Sequence, residues 1–344
     1  MATHTTAIRS FLLGFALALA LAGVGAARAG SITTDQPPVA TLADGRVGVV
    51  AFEAPTPKSW RELVERSVAV KSIITGLLKM PPGARGPVPA MVIVHGSGGV
   101  QPGEWEWAKR LNALGVASFV IDNFTGRGVR ETETDPFRLS PTADIAGALA
   151  ALRLLATHPG IDPKRIGVIG FSLGGIVALD TALEPFRHGV IDGDLRFAAH
   201  ISFYPSCDIN FVSAHLDGSP ILMLLGGKDN YTPAPPCLAF ADELRDKAVQ
   251  ISVVVYPNAY HAFDRDMPLQ YYQQDPSARN CHGRVDLDTE TFTMRRGDIA
   301  LTSSDALAEL KQCFTTGVNY GGDPEGREKA PVQVAAFLKA TFSL

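Results

Sequence analysis

The stretch Ile166-Gly167-Val168-Ile169-Gly170-Phe171-Ser172-Leu173-Gly174-Gly175 decides how the rest of this 344-residue chain is read. A short apolar run, Ile166 to Ile169, meets Gly170-Phe171-Ser172-Leu173-Gly174, and an apolar periodic stretch continues to Leu183. A strand that turns into a helix around G-x-S-x-G is the pattern of a nucleophile elbow. The serine sits at a strained turn that pushes its hydroxyl out of the backbone, and glycine on either side lets strand and helix pack closely. The Leu173 amide then lies at a helix N-terminus, where it can face a developing negative charge. A glycine-rich turn that merely holds a serine has the same five letters, so the meaning of Ser172 depends on the residues downstream.

Downstream lie an acid and a histidine, in that order. Pro220 to Gly227 is apolar and reads as a buried parallel strand, ending in Lys228-Asp229-Asn230. Val249 to Tyr256 reads as another strand, followed by Pro257-Asn258-Ala259-Tyr260-His261-Ala262-Phe263. In a parallel sheet the loops after such strands share one edge, where ligands bind. A serine hydroxyl needs a base to take its proton, and the base needs a carboxylate to fix its tautomer. Ser172, His261 and Asp229 supply those roles. Asp229 also suits an ordinary turn, and Asp208, after the preceding strand, is the competing acid. Upstream, Ala90 to Val94 reads as a strand followed by His95-Gly96-Ser97-Gly98-Gly99, a glycine loop whose amides can point at an oxyanion. The Ser97 and Leu173 amides are the expected donor pair.

The pattern predicts strands at 46–53, 68–79, 89–95, 116–122, 165–170, 197–204, 219–227 and 249–257. It predicts helices at 103–114, 141–157, 173–184, 233–248 and 332–342. Alternation of the two means an α/β fold, a mainly parallel eight-stranded sheet with helices on both faces, in which the first strands, lacking a helix between them, can run antiparallel. The acid and histidine after Ser172 come in the order of an α/β-hydrolase.

With the elbow, Gly226-Gly227-Lys228-Asp229 and Tyr260-His261-Ala262-Phe263 in place, the chain resembles the dienelactone hydrolase family of the α/β-hydrolases over about Val68 to His261. The resemblance implies hydrolysis of a small-molecule carboxylic ester or lactone through an acyl-enzyme, without metal or organic cofactor. It also implies two arginines that hold a substrate carboxylate, at Arg127 and Arg265, for which a planar guanidinium is suited. Structural ion pairs are the competing role for both. The dienelactone enzyme itself uses a cysteine nucleophile and a glutamate after the oxyanion-strand histidine; here Ser172 and Gly96 stand there, so its gated-thiol mechanism does not carry over. A peptidase or acyltransferase on the same three residues, and a non-catalytic binding protein that keeps the fold, remain open at this point.

Relative to that family, residues 264–330 are an insertion, with a helix expected at Ser304 to Phe314 and a Gly-rich tail at Gly317 to Gly326. Starting beside His261, it is expected near the active-site mouth. Residues 1–29 read as a signal peptide, with an apolar core Phe11 to Ala22 and Ala27-Arg28-Ala29 at the cleavage site. Residues 30–45 read as an extended leader without a core-forming pattern, and 46–344 as the hydrolase domain. The four cysteines have no CxxC spacing, so in an exported chain they suggest disulfides, with three connectivities open. Cys207–Cys237, near one sheet edge, and Cys281–Cys313, bracketing inserted sequence, are the expected pairs; four buried thiols are the alternative. The expected compartment is periplasmic or secreted, with no stable membrane association after cleavage. A net charge of −4 argues against a nucleic-acid partner, and no His or carboxylate spacing suits a metal.

Overall fold

The computed structural model describes residues 30–344; the expected signal peptide, 1–29, lies outside the described residues. In chain order the elements are β1 (Gly48–Pro55), α1 (Trp60–Val64), β2 (Lys71–Lys79), β3 (Val88–Val94), α2 (Pro102–Ala113), β4 (Ala117–Asp122), α3 (Pro141–Leu155) and β5 (Ile161–Phe171). Then come α4 (Leu173–Asp180), α5 (Glu184–Val190), β6 (His200–Phe203), β7 (Ile209–Val212), β8 (Ile221–Gly226), α6 (Ala234–Asp246) and β9 (Ile251–Tyr256). The C-terminal part holds β10 (Gln270–Ser277), β11 (Gly283–Asp286), β12 (Thr291–Arg296), β13 (Ile299–Thr302), α7 (Ser303–Gln312), β14 (Thr315–Tyr320) and α8 (Pro324–Phe342).

Eight strands form the central sheet in the order β1-β2-β4-β3-β5-β6-β8-β9. β2 runs antiparallel to both β1 and β4, and all later pairings are parallel. β3 and β8 are apolar almost throughout because both of their faces are covered. On one face, Leu149 and Leu152 of α3 and Val177 of α4 pack with Val92 and Val168. On the other, Trp107 and Leu111 of α2 and Leu338 of α8 pack with Ile93 and Ile169. Every parallel strand thus delivers its C-terminal loop to one edge.

Three expectations are corrected. The helix after the elbow ends at Asp180, and a separate helix, α5, begins at Glu184 with Pro185 at its start. The last helix begins at Pro324, inside the Gly-rich stretch: Asp323 caps it, accepting the Gly326 N–H at 2.8 Å, and Pro324 suits the first helical turn. Residues 30–45, read as a leader without a core-forming pattern, carry no helix or named strand, but they do add to the core. Leu42 and Ile32 are buried on opposite faces of the sheet, and the Ile32 N–H donates to Asp122 Oδ2 at 3.0 Å. Single anchors of this kind leave no periodic trace.

Residues 264–330 are ordered into small sheets. β10 and β14 pair antiparallel, while β13-β12-β11 form a sheet completed by β7, from the loop after β6, in parallel with β11. Disulfides join Cys207 to Cys237 and Cys281 to Cys313.

Candidate active site

Ser172 occupies the turn between β5 and α4 at φ 55°, ψ −114°, a backbone conformation that side chains other than glycine rarely adopt. The flanking glycines are steric necessities. A β-carbon on Gly170 would collide with the Gly174 carbonyl, and one on Gly174 would collide with the Val94 carbonyl of β3. The Ser172 N–H donates to Phe203 O at 3.0 Å, which ties the elbow to β6.

His261 and Asp229 reach the elbow from the loops after β9 and β8. His261 Nε2 lies 3.0 Å from Ser172 Oγ, and His261 Nδ1 lies 2.8 Å from Asp229 Oδ2. The Asp229 side chain is fully buried and the His261 ring nearly so. A carboxylate on Nδ1 holds the proton there and leaves Nε2 as the acceptor facing the hydroxyl. Asp229 also serves as a turn residue. Its Oδ1 accepts the Tyr231 N–H at 2.8 Å and the Thr232 N–H at 2.9 Å. The His261 ring is held between Tyr204 and Tyr231, with centroids 4.6 and 4.7 Å away. Asp208 does not face the histidine. It accepts from Ser206 Oγ at 3.0 Å, and burial pushes its carboxyl up to about 6.

Ser97 and Leu173 lie with Ser172 on the wall of one cavity of about 560 Å³. Among the described residues, neither of their amides has a partner within the chain. His95 braces the glycine loop. Its Nε2 accepts the Asn123 N–H at 3.2 Å, so Nδ1 carries the proton and donates it to Gly96 O at 2.8 Å. Apolar side chains make most of the remaining wall. Ile176 comes from α4, and Val285, Phe292, Leu310 and Phe314 come from residues 264–330.

The structure does not bring the two arginines to this cavity. Arg127 Nη1 donates to Asn123 O at 2.8 Å, Nη2 to Pro55 O at 2.9 Å and Nε to Thr56 Oγ1 at 3.1 Å, which fastens the loop after β4 to the end of β1. Arg265 lies under the start of α2, where its Nη2 donates to Glu104 Oε1 at 2.6 Å and its guanidinium stacks 4.7 Å over the Phe171 ring. Each has one nearby partner, Asn123 for Arg127 and Asp264, 3.7 Å from its Nε, for Arg265, and one distant partner that the local sequence does not announce.

Two side chains at the site escaped the sequence reading. Thr232 Oγ1 lies 3.0 Å from both His261 Nδ1 and Asp229 Oδ2; its place three residues after the acid, where a hydroxyl can close the turn, was the available signal. Glu133 lies on the cavity wall, in a polar stretch without periodicity. Burial, with the charges of Asp275 and Glu131 adding and that of His261 opposing, pushes its carboxyl up to about 7.

The model of the dienelactone hydrolase family matches residues 74–284, a span that includes Ser172, Asp229 and His261. A Yersinia pestis protein named "Putative carboxymethylenebutenolidase" is 25% identical over 198 residues, 55% of this chain and 73% of that protein. An Escherichia coli protein of the same name is 26% identical over 206 residues, 56% of this chain and 73% of that protein. Thermogutta terrifontis esterase 2, in a form phosphoramylated by tabun, superposes with a TM-score of 0.52 at 15% identity over 78% of this chain and 90% of that one, a likeness of fold. The chain belongs to the dienelactone hydrolase family and is a hydrolase acting on ester bonds, built on the α/β-hydrolase fold.

Proposed function

We propose that this protein cleaves carboxylic esters through an acyl-enzyme, with Ser172 as nucleophile, His261 as general base and acid, and Asp229 as the group that orients the imidazole. Ser172 Oγ attacks the carbonyl carbon as its proton passes to His261 Nε2. The resulting oxyanion is held by the Ser97 and Leu173 amides, which already sit in a low-dielectric pocket. Collapse expels the alcohol, which takes the proton from His261. Water, activated by the same nitrogen, then releases the acid. The observation that carries the reading is the pair of contacts, 3.0 Å from Oγ to Nε2 and 2.8 Å from Nδ1 to Asp229, on a serine at a strained turn.

The cavity supports a substrate with a sizeable apolar group. Its volume of about 560 Å³ and its wall of Phe292, Leu310 and Phe314 suit a hydrocarbon acyl or alcohol portion. On this reading residues 264–330 form a substrate-shaping part of the domain 46–344. The two disulfides fit folding in an oxidising compartment, so export of the mature chain is part of the proposal. A fluorophosphonate probe tests it. One adduct mapped to Ser172, absent from Ser172→Ala, is expected; a folded protein that takes no label would leave a non-catalytic binding role instead.

A further inference from the structure

Among the described residues, two charged side chains line the cavity, Lys58 and Glu133. Lys58 is exposed to solvent, whereas Glu133 is half-buried and sits at the reacting end. The Thr132 N–H beside Glu133 donates to Ser97 O at 2.8 Å, so this segment is fastened to the glycine loop. The Glu133 carboxyl lies against Gly98 so closely that a β-carbon there would come within 2.7 Å of Oε1. Glu131 is paired with Arg138, but among the described residues Glu133 has no ion-pair partner. The arginines that would neutralise a carboxylate are engaged elsewhere, Arg127 on the end of β1 and Arg265 on Glu104.

We propose that Glu133 sets the charge preference of the site: esters with a carboxylate within a few atoms of the scissile carbonyl are rejected, and neutral or ammonium-bearing esters are taken. The proposal rests on the reading of Ser172 as nucleophile and adds the substrate class. Two like charges held a few ångströms apart away from bulk water repel strongly, and the same carboxylate attracts an ammonium group. The tyrosine beside it, Tyr231, adds an aromatic wall on which an alkylammonium can rest. The remaining titratable groups around Glu133 are Asp275, Glu131, His261 and Tyr320. Asp275 and Glu131 reinforce the negative field, and His261 opposes it when it carries the proton taken from Ser172.

The carboxyl is ionised above about pH 7, so the preference belongs to the alkaline side. It fades as pH falls and the group takes up its proton.

The test compares three p-nitrophenyl esters whose acyl groups match in size and end in trimethylammonium, tert-butyl or carboxylate. At pH 8 the kcat/KM ratio of ammonium to carboxylate ester is expected to be about tenfold or more. Glu133→Gln is expected to bring the ratio close to one, and Glu133→Lys to invert it. In the wild type the ratio should shrink between pH 8 and pH 6, the loss common to all esters cancelling in the quotient, and in Glu133→Gln it should not. If the glutamine variant does not fold, the wild-type pH series decides alone. A ratio near one in the wild type, or one unchanged by pH and by substitution, overturns the role of Glu133 while hydrolysis still depends on Ser172. Hydrolysis of all three esters by Ser172→Ala at the wild-type rate overturns the nucleophile reading and the charge preference with it.

Discussion

Asp229 holds its own turn with one carboxylate oxygen and His261 with the other. Oδ1 accepts the amides of Tyr231 and Thr232, and Oδ2 lies 2.8 Å from His261 Nδ1. The acid is therefore fixed before it meets the imidazole, so little orientational freedom is lost on forming that contact. Asp229→Asn keeps the turn oxygen and removes the acceptor for the Nδ1 proton. Activity should fall by about 10³–10⁴-fold with little loss of stability. Thr232→Val should lower kcat by about tenfold, since it strips a hydroxyl from the same pair. Steady-state kinetics with melting curves separates the two effects. An Asp229→Asn variant of nearly normal activity would remove the acid from the mechanism.

Asp208 gives a different signature. Burial raises its carboxyl to about 6 in the folded protein, above its ordinary value of 3.8. The folded state then binds more protons than the unfolded state between those values, so stability declines as pH rises through about 4 to 6 and stays lower above. The penalty is at most about 3 kcal/mol. Asp208→Asn should remove its own share of that decline, leaving the share of Asp144, also pushed up to about 6 by burial, and should raise stability at pH 8 while catalysis changes little. Urea titrations at pH 4, 6 and 8 read the first effect. A catalytic loss as deep as that of Asp229→Asn would contradict the assignment of the acid.

Arg265 is expected to act on stability. Its removal leaves Glu104, which is buried, without its cation and takes the guanidinium off Phe171. Arg265→Ala should cost about 3–5 kcal/mol and lower KM discrimination between anionic and neutral esters no more than a control. A selective rise in KM for carboxylate-bearing esters at unchanged melting temperature would restore the substrate-binding role that the resemblance implied.

The disulfides close loops with sequence separations of 30 and 32. Loop-closure entropy predicts about 3–4 kcal/mol from each. Thiol titration in denaturant should find no thiol before reduction and four after. The Cys281→Ser, Cys313→Ser pair and the Cys207→Ser, Cys237→Ser pair should both alter chain-length preference, because each loop carries cavity-wall residues, Val285, Phe292 and Leu310 in one and Ile209, Phe211 and Tyr231 in the other. Four thiols in unreduced protein would contradict both the pairing and export.

The inner strands of the central sheet were legible because strands buried on both faces must be apolar, as Met91 to Val94 and Ile221 to Leu225 are, and β2 because it buries alternate residues. The convergence of Ser172, Asp229 and His261 was legible because all three follow parallel strands and such loops share an edge. The arginines misled because each is held by one nearby and one distant partner, Asn123 and Pro55 for Arg127 and Asp264 and Glu104 for Arg265, and the distant ones leave no local trace. Glu133 was hidden for the same reason. Nothing in Glu131-Thr132-Glu133-Thr134 shows that one carboxylate pairs with Arg138 while its neighbour meets Gly98. The start of α8 was lost because glycines at 321, 322 and 326 outweigh the Asp-Pro signal in a local reading. Most strands of residues 264–330 span only four to six residues, so no period emerges.

The central claim is that Ser172 and His261 act as one unit, and a double-mutant kinetic cycle on a neutral p-nitrophenyl ester tests it most directly. Ser172→Ala and His261→Ala should each lower kcat by about 10⁴-fold or more, and the double variant should lose little beyond either alone. Losses that multiply, or a Ser172→Ala protein that keeps more than about one hundredth of the activity, would contradict a shared proton transfer between these two residues.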